Sequence, residues 1–398
     1  METIYITAKH GIIGDGEKTL SPIWVGIDGD KITYVDSIKP EAANEHNTTD
    51  MGECTLTPGL FNLHDHVNRK QLRFDADLPL GVRSAQFMGE TKEYMLMHGV
   101  HNMKEMLKEG ITFVRDFGLG GYTALTLRRA IKEGLVPGPE MITCGMDIVQ
   151  SGGHCYKYAK EADGCEEVMK AVREEIRAGA DFIKMMASGG LEAFPREDPK
   201  YPEYTLRELQ AASEVAHDAG YKITAHVYPK EAIMRILQAD FDCVEHGVMM
   251  DDECIELMVK KGTPLVPTMT GVKGSFFIKP VTAQKKASIP LLEERIWGPH
   301  AISVKKAIQA GIPVGTGTDT YGWLADEIRT IAEAADLNPV QAIAHATSIS
   351  AKIVDRPDLG LLEVGKHANV VAFPGDVTKS LDTISNARQL WLHGKPQL

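Results

Sequence analysis

The middle of the chain alternates short apolar runs with longer amphipathic stretches, and this alternation limits the folds open to it. Eight runs have the apolar character of buried strands: Leu56–His66, Ile111–Phe117, Met141–Ile148, Asp181–Ala187, Lys222–Val227, Asp242–His246, Thr263–Pro267 and Ile312–Thr318. Strands that alternate with helices predict a parallel sheet covered by helices. Eight strands favour a closed (β/α)8 TIM-like barrel, usually about 250 residues long. An open doubly wound sheet is the alternative.

Both ends of the chain show a different pattern, in which short strand signals are separated by turns. These signals lie at Ile4–Thr7, Ile23–Ile27, Ile32–Val35, Ala368–Phe373 and Gln389–His393. Strands from the two ends can pair, so we predict one small β-domain built from both termini. We expect it to comprise residues 1–57 and 359–398, with the barrel over residues 58–358.

Charge and composition exclude several classes of partner. The net charge is −12, whereas binding phosphates requires a basic surface, so we expect no nucleic-acid partner. No apolar run is long enough to span a membrane. Six scattered cysteines and the lack of a basic, apolar leader indicate a cytoplasmic protein. We therefore expect a small-molecule substrate as the partner. The sequence does not decide whether the chain forms a homo-oligomer.

Two histidines stand at the end of the first barrel strand, as Leu63-His64-Asp65-His66. Side chains two positions apart on a strand share a face, so both imidazoles point the same way. A pair of imidazoles at a strand end can hold a metal ion. A surface or core pair of histidines is the ordinary alternative, and the motif alone does not decide between them.

Three further candidates fall at the ends of later strands. His226 closes the fifth strand, His246 closes the sixth, and Asp319 follows the eighth. The carboxyl ends of barrel strands converge on one mouth, so residues distant in sequence meet there. Together with the first histidine pair, these residues predict a metal site at the mouth.

Lys184 lies inside an apolar run, Phe182-Ile-Lys-Met-Met. An unpaired ammonium is costly to bury, so a lysine here either extends to the strand end or pairs with a carboxylate. A third interpretation of Lys184 applies if two metal ions lie beside it, because their positive charges would repel an ammonium. Deprotonation and reaction with CO2 would convert Lys184 to a carbamate, an oxygen ligand suited to hard divalent ions.

These residues resemble the binuclear subtype of the amidohydrolase superfamily, and most of all its Xaa-Pro dipeptidase and imidazolonepropionase-like members. The resemblance extends from about Ile4 to Lys395. Its motifs are Thr57-Pro-Gly-Leu-Phe, Thr112-Phe-Val-Arg-Asp-Phe-Gly, Ser151-Gly-Gly-His, Gly179-Ala-Asp-Phe-Ile-Lys-Met-Met-Ala-Ser-Gly-Gly and Gly360-Leu-Leu-Glu-Val-Gly-Lys-His-Ala-Asn-Val. It implies a barrel with a small β-sandwich formed from both termini.

The resemblance also implies a ligand set for two divalent ions, with zinc expected. His64, His66 and Asp319 would bind the more buried ion, and His226 and His246 the other. A carbamate on Lys184 and a hydroxide would bridge the two ions.

The activity implied is hydrolysis of an amide or peptide bond, in dipeptides or N-acyl amino acids. The bridging hydroxide would attack the carbonyl carbon. Asp319 would act first as general base and then as general acid.

Two more positions match the dipeptidase branch. There, a histidine in the Gly-Gly-His loop and a tyrosine after the fifth-strand histidine bind the carboxylate of the substrate; here these are His154 and Tyr228. Judged from the residues alone, His154 is equally a loop histidine without a role, and Tyr228 a packing aromatic. Asn62 departs from the family pattern, in which many relatives have aspartate. Residues 271–298, which include Phe276 and Phe277, match no family segment.

Two alternative functions stay open. A hydrolase of cyclic amides or a deaminase, similar to imidazolonepropionase, would use one metal ion and typically lack the bridging lysine, so Lys184 argues against it. A non-catalytic member that serves in binding or assembly would be expected to lose ligands. All six ligand positions are filled here.

Overall fold

The computed structural model describes residues 3–72, 84–86, 91–118, 120–191, 197–276 and 283–398. Within these ranges the chain forms an α/β fold with two antiparallel-rich sheets from its ends, two parallel sheets from its middle, and a two-stranded antiparallel sheet of residues 70–72 and 84–86. Phe277 lies outside the described residues.

The strands are β1 (Ile4–Ala8), β2 (His10–Ile12), β3 (Thr19–Leu20), β4 (Ile23–Asp28), β5 (Lys31–Asp36), β6 (Thr48–Asp50), β7 (Thr55–Pro58), β8 (Leu60–Asp65), β9 (Lys70–Leu72), β10 (Ser84–Gln86), β11 (Ile111–Asp116), β12 (Glu140–Thr143), β13 (Ile148–Val149), β14 (Lys160–Glu161), β15 (Ile183–Met186), β16 (Ile223–Val227), β17 (Cys243–His246), β18 (Leu265–Val266), β19 (Val370–Phe373), β20 (Gln389–Leu392) and β21 (Lys395–Pro396).

The helices are α1 (Lys92–Lys108), α2 (Thr123–Lys132), α3 (Gly164–Ala178), α4 (Leu206–Asp218), α5 (Lys230–Gln238), α6 (Asp252–Lys261), α7 (Met269–Phe276), α8 (Ala283–Leu292), α9 (Gly298–Gln309), α10 (Leu324–Ala335), α11 (Pro339–His345) and α12 (Ser348–Ile353), with a π-helical turn at Glu293–Trp297. Hydrogen bonds between side chains and the backbone fix where several helices begin. At α4, the Thr205 side chain accepts the backbone N–H of Glu208, whose carboxylate in turn accepts the N–H of Thr205.

Of the two terminal sheets, the first is built from N-terminal strands alone and the second combines strands from both ends of the chain. One has the order β5-β4-β1-β6, and the other has the order β21-β20-β19-β7-β2-β3. Apolar side chains from both sheets, among them Ile6, Val25, Leu56 and Val370, form one buried cluster. Strand β7 pairs with the C-terminal strand β19, so the chain ends meet as the sequence pattern predicts.

The parallel strands form a three-stranded sheet, β12-β11-β8, and a six-stranded sheet, β14-β13-β15-β16-β17-β18. Further hydrogen bonds connect these sheets at both sides. The N–H of Asp181, before β15, donates to the Thr143 carbonyl of β12 at 2.8 Å. On the other side, residues 312–319 lie between β18 and β8: Gly315 N–H donates to Leu265 O at 2.9 Å, and Leu63 N–H donates to Thr316 O at 2.7 Å.

Three predicted strands differ from the observed ones. The run Leu56–His66 is divided into β7 and β8, which belong to different sheets. The division is at Gly59, where a Cβ atom would lie 2.1 Å from Oγ1 of Thr112, so only glycine allows the chain to pass. The run Met141–Ile148 is likewise divided, into β12 and β13, and Ile312–Thr318 forms only a bridge between Val314 and Leu265.

The described part of residues 271–298 is helical. Phe276 packs in a buried cluster with Trp297 and Tyr228, so this segment forms part of the wall around Tyr228. No helix in the described residues is both long enough and apolar enough to cross a lipid bilayer.

Candidate active site

The residues that the sequence singles out line one cavity at the carboxyl ends of the parallel strands. All eight predicted positions take part: His64, His66, His154, Lys184, His226, Tyr228, His246 and Asp319. Arg69, Cys155 and Tyr321 also line the cavity and were not predicted.

His64, His66 and Asp319 form a compact group, whose potential ligand atoms lie within 4.8 Å of one another. Oδ1 of Asp319 lies 3.1 Å from Nε2 of His66 and 3.7 Å from Nε2 of His64. Two ligands on a tetrahedral zinc ion, with bonds of about 2.0–2.1 Å, are roughly 3.3 Å apart. The spacing therefore fits one shared ion.

His64 and His66 are each oriented by a hydrogen bond from the ring nitrogen that faces away from the cavity. Nδ1 of His64 contacts the Glu245 carboxylate at 2.8 Å, and Nδ1 of His66 contacts the carbonyl of Phe117 at 3.0 Å. These bonds leave Nε2 of both rings for a ligand.

His226 and His246 differ in which ring nitrogen remains available to bind an ion. His226 directs Nε2 to the Gly189 carbonyl at 3.3 Å, which leaves Nδ1. His246 directs Nδ1 to Thr268 at 2.5 Å, which leaves Nε2. The two rings lie 4.5 Å apart between centroids, so they can serve a second ion beside the first.

Three of the imidazoles are held in the neutral form that binds metal ions. Burial lowers the pKa of His64, His226 and His246 well below the ordinary value, and the positive charge of Lys184 lowers each further. A neutral imidazole offers a lone pair without first losing a proton.

Lys184 is 1% exposed and lies among these rings. Its Nζ is 4.3 Å from the centre of the Phe117 ring. Within the part of the chain that the structure describes, this nitrogen makes neither a hydrogen bond nor a salt bridge. The structure therefore does not support the interpretation of Lys184 as a lysine paired with a carboxylate, and an unpaired ammonium at this depth is costly.

Asp319 occupies a strained backbone conformation, with φ of 47°. Two glycines leave room for the cavity side chains: a Cβ on Gly271 would lie 2.5 Å from the Cβ of Asp319, and one on Gly317 would lie 2.7 Å from the Cβ of His64. Burial alone would raise the pKa of Asp319, but the hydrogen bond from His66 and the positive charge of the nearby Arg69 lower it to about 2. Asp319 is thus an ionised carboxylate at neutral pH.

A buried pair behind the site, Glu245 and Arg115, was not predicted. The two Glu245 oxygens contact Nδ1 of His64 at 2.8 Å, the Arg115 guanidinium at 2.7 Å and Oγ1 of Thr224 at 2.5 Å. Since Glu245 is fully buried, this pair fixes the ring of His64. The sequence feature that could have revealed Glu245 is a glutamate beside His246 in an otherwise apolar strand.

Replacement of Glu245 by glutamine should lower metal affinity by about 10- to 100-fold, because the amide orients His64 less well than a carboxylate does. Zinc titration of the apoprotein measures this. Glu175→Gln is the matched control, since Glu175 is buried and pairs with Lys160 outside the cavity. Equal affinities for the two variants would remove Glu245 from this role.

In the described residues, Asn62 makes no hydrogen bond to a side chain that lines the cavity. Its amide donates to Oδ2 of Asp65 and to Oγ1 of Thr318, both at 2.9 Å, and its oxygen accepts the N–H of Thr318 at 3.1 Å. Asp65 points away from the cavity-facing histidines into this network. Asn62 therefore fixes the loop that bears Asp319 to the end of β8.

His154 and Tyr228 approach the cavity next to His226, with ring centroids 4.3 Å and 4.9 Å from it. Burial opposes protonation of His154, but Cys155 and the Glu197 carboxylate, 2.5 Å from Nδ1, raise its pKa well above the ordinary value. Burial also raises the pKa of Tyr228. The pair thus offers an imidazolium and a neutral phenol.

A comparison with protein families decides the broader assignment. The model for the amidohydrolase family matches residues 55–395. This chain belongs to the amidohydrolase family. Amidohydrolases are hydrolases and are generally metal-dependent, in agreement with the group of histidines and aspartate described above.

Individual amidohydrolases resemble the chain over most of its length. Ochratoxinase from Aspergillus niger is 29% identical over 379 residues, which cover 85% of this chain and 75% of the relative. The crystal structure of a Xaa-Pro dipeptidase with methionine bound in its active site has a TM-score of 0.86 and 26% identity, and covers 99% of each chain. Imidazolonepropionase from Alkaliphilus metalliredigens is 24% identical, covering 88% of this chain and 83% of the relative.

Proposed function

We propose that this protein hydrolyses an amide or peptide bond in a dipeptide or N-acyl amino acid, with two divalent metal ions as cofactors. The observation that supports this most is Lys184: a buried amine without an ion pair in the described residues, in a cavity lined by five histidines and Asp319. Its conversion to a carbamate would replace an unfavourable ammonium with a ligand for both ions.

The donor set fits such a centre. His64, His66 and Asp319 would hold one ion, His226 and His246 the other, and carboxylated Lys184 would bridge them. Imidazole nitrogens with carboxylate-type oxygens favour zinc among the common divalent ions. When bound, the two ions would lower the pKa of a shared water and polarise the substrate carbonyl.

Asp319 would transfer the protons of the reaction, first as general base and then as general acid. It is ionised, and its Oδ1 is 3.1 Å from Nε2 of His66, where it faces the cavity. It would accept a proton from the attacking water and then donate it to the leaving nitrogen, which must be protonated to depart as an amine.

His154 and Tyr228 would bind the carboxylate of the substrate. An imidazolium attracts an anion, and a phenol can donate a hydrogen bond to it. The tyrosine hydroxyl makes no hydrogen bond to any side chain or backbone group in the described ranges, so its proton is available. The related dipeptidase binds methionine in its active site, and a free amino acid has such a carboxylate.

A Tyr228→Phe variant should show a KM raised by about 10- to 100-fold for peptides with a free C-terminus, because one hydrogen bond to a charged group is lost. C-terminally amidated analogues should change little. Tyr204→Phe is the control, since that buried hydroxyl donates to Ala162 O and does not line the cavity. An equal rise for free and amidated peptides would argue against carboxylate binding by Tyr228.

The proposal includes an architecture that positions the site. The parallel strands and residues 312–319 would close into a (β/α)8 barrel, flanked by a β-sandwich of residues 1–57 and 359–398. The supports are the hydrogen bonds that join the two parallel sheets on both sides and the apolar cluster shared by the terminal sheets. We further propose a cytoplasmic protein with a small-molecule partner.

A screen of dipeptides, N-acyl amino acids and cyclic ureides with zinc-loaded protein tests this function. Cleavage of the first two classes supports it. Hydrolysis of cyclic ureides alone would favour the second candidate, to which the imidazolonepropionase relatives point. Turnover of none of them, in protein shown to contain metal, would contradict the proposed substrates.

A further inference from the structure

A second cluster of metal-binding side chains lies away from the cavity, where the terminal sheets meet the barrel strands. Asp30 is in the turn between β4 and β5, His367 precedes β19, and His393 is in the turn between β20 and β21. Each can offer one ligand atom, and these atoms all lie within 4.8 Å of one another. The cluster thus joins both terminal sheets.

The contact between His367 and Asp30 has the spacing of two ligands on one ion. Nδ1 of His367 lies 3.1 Å from Oδ2 of Asp30. This nitrogen is buried and makes no hydrogen bond within the described ranges. Tetrahedral zinc ligands are roughly 3.3 Å apart, and the His66–Asp319 contact in the cavity is also 3.1 Å.

The outer nitrogens of both histidines face carboxylates. Nε2 of His393 is 2.9 Å from Glu140, and Nε2 of His367 is 3.4 Å from Asp358. Each arrangement leaves Nδ1 as the nitrogen available to an ion, since a ring that donates from one nitrogen presents a lone pair on the other.

One arginine holds both carboxylates. The Arg356 guanidinium contacts Glu140 at 2.6 Å and Asp358 at 2.8 Å. The same order of histidine, carboxylate and arginine occurs behind His64, with Glu245 and Arg115. Carboxylate-supported imidazoles of this kind characterise metal-binding histidines.

We propose that Asp30, His367 and His393 form an additional divalent cation site of the zinc class, with water completing the coordination. The ion would connect the two terminal sheets. Because Glu140 begins β12 and supports His393, the ion would also connect these sheets to the end of the barrel strands opposite the cavity.

Zinc bound per chain, measured after equilibration of the full-length protein with zinc and removal of the excess, tests this site. Asp30→Asn and His393→Gln should each bind one zinc ion fewer than the parent and keep its activity. His217→Gln should bind as many as the parent, since His217 pairs with Asp242 and is not part of the cluster. Zinc should also raise the Tm of the parent more than that of either cluster variant.

Equal zinc contents in the parent and both cluster variants would overturn the proposal. Anomalous diffraction at the zinc edge gives a check on the parent that does not depend on variant folding. A peak among Asp30, His367 and His393 supports the site, and its absence in zinc-soaked crystals refutes it. Each comparison measures the difference in bound zinc between the parent and a cluster variant. The result therefore does not depend on whether the cavity holds two ions.

Discussion

Replacement of Lys184 by alanine should lower kcat by at least about a thousand-fold, because a divalent ion in such a site contributes several kcal/mol to the reaction. The variant should also contain at least one zinc ion fewer than the parent, since the oxygen ligand common to both ions is lost. The fold should persist: the change removes a costly buried amine, and no hydrogen bond or salt bridge in the described part of the chain depends on it.

Lys222→Ala is the matched control, because Lys222 precedes the neighbouring strand β16 but pairs with Asp355 outside the cavity. Acetate or formate, added at millimolar concentration, should restore part of the activity of Lys184→Ala by supplying a carboxylate where the side chain was. Activity near the parent level without such an addition would contradict the bridging role of Lys184.

Replacement of Asp319 by asparagine should lower kcat by about 100- to 10,000-fold, the usual contribution of general acid–base catalysis. Asparagine has nearly the same shape and keeps one oxygen toward the metal site, but it cannot accept a proton. KM should change much less than kcat, because substrate binding is assigned to His154 and Tyr228. Steady-state kinetics on the best substrate from the screen measures both constants.

Asp326→Asn is the control for Asp319→Asn, since Asp326 is half-buried on α10 and pairs with Arg329. Metal content separates two causes of a loss. A low kcat with metal retained identifies Asp319 as a proton acceptor, whereas unchanged kcat in a metal-loaded variant would exclude it from catalysis.

The general features of the fold could be predicted because apolar runs and amphipathic helices have distinct periods. Helix α5, for example, buries Ala232, Ile233, Ile236 and Leu237, which are spaced as on one face of a helix. The divided first strand could not be predicted, because its cause is the contact between Gly59 and Thr112, which are distant in sequence. Similarly, residues 312–318 are as apolar as a strand but run beside β18 and β8 with only one bridge.

The cavity-facing residues could be predicted because strand ends bring them to one place, and all eight line it. Residues behind the cavity gave a weaker signal. Glu245 acts through His64, which is 181 residues away in sequence, and a single glutamate in a strand does not reveal its partner. Arg69 and Tyr321, which contact each other at the cavity wall, belong to segments without a recognisable pattern.

An anomalous difference map at the zinc edge, from crystals of the parent protein grown with zinc and bicarbonate, tests the central claim most directly. We predict two peaks in the cavity, one beside His64, His66 and Asp319 and one beside His226 and His246, with density for a carboxylated Lys184 between them. A single peak, or an unmodified Lys184 with no peak beside it, would contradict the binuclear centre.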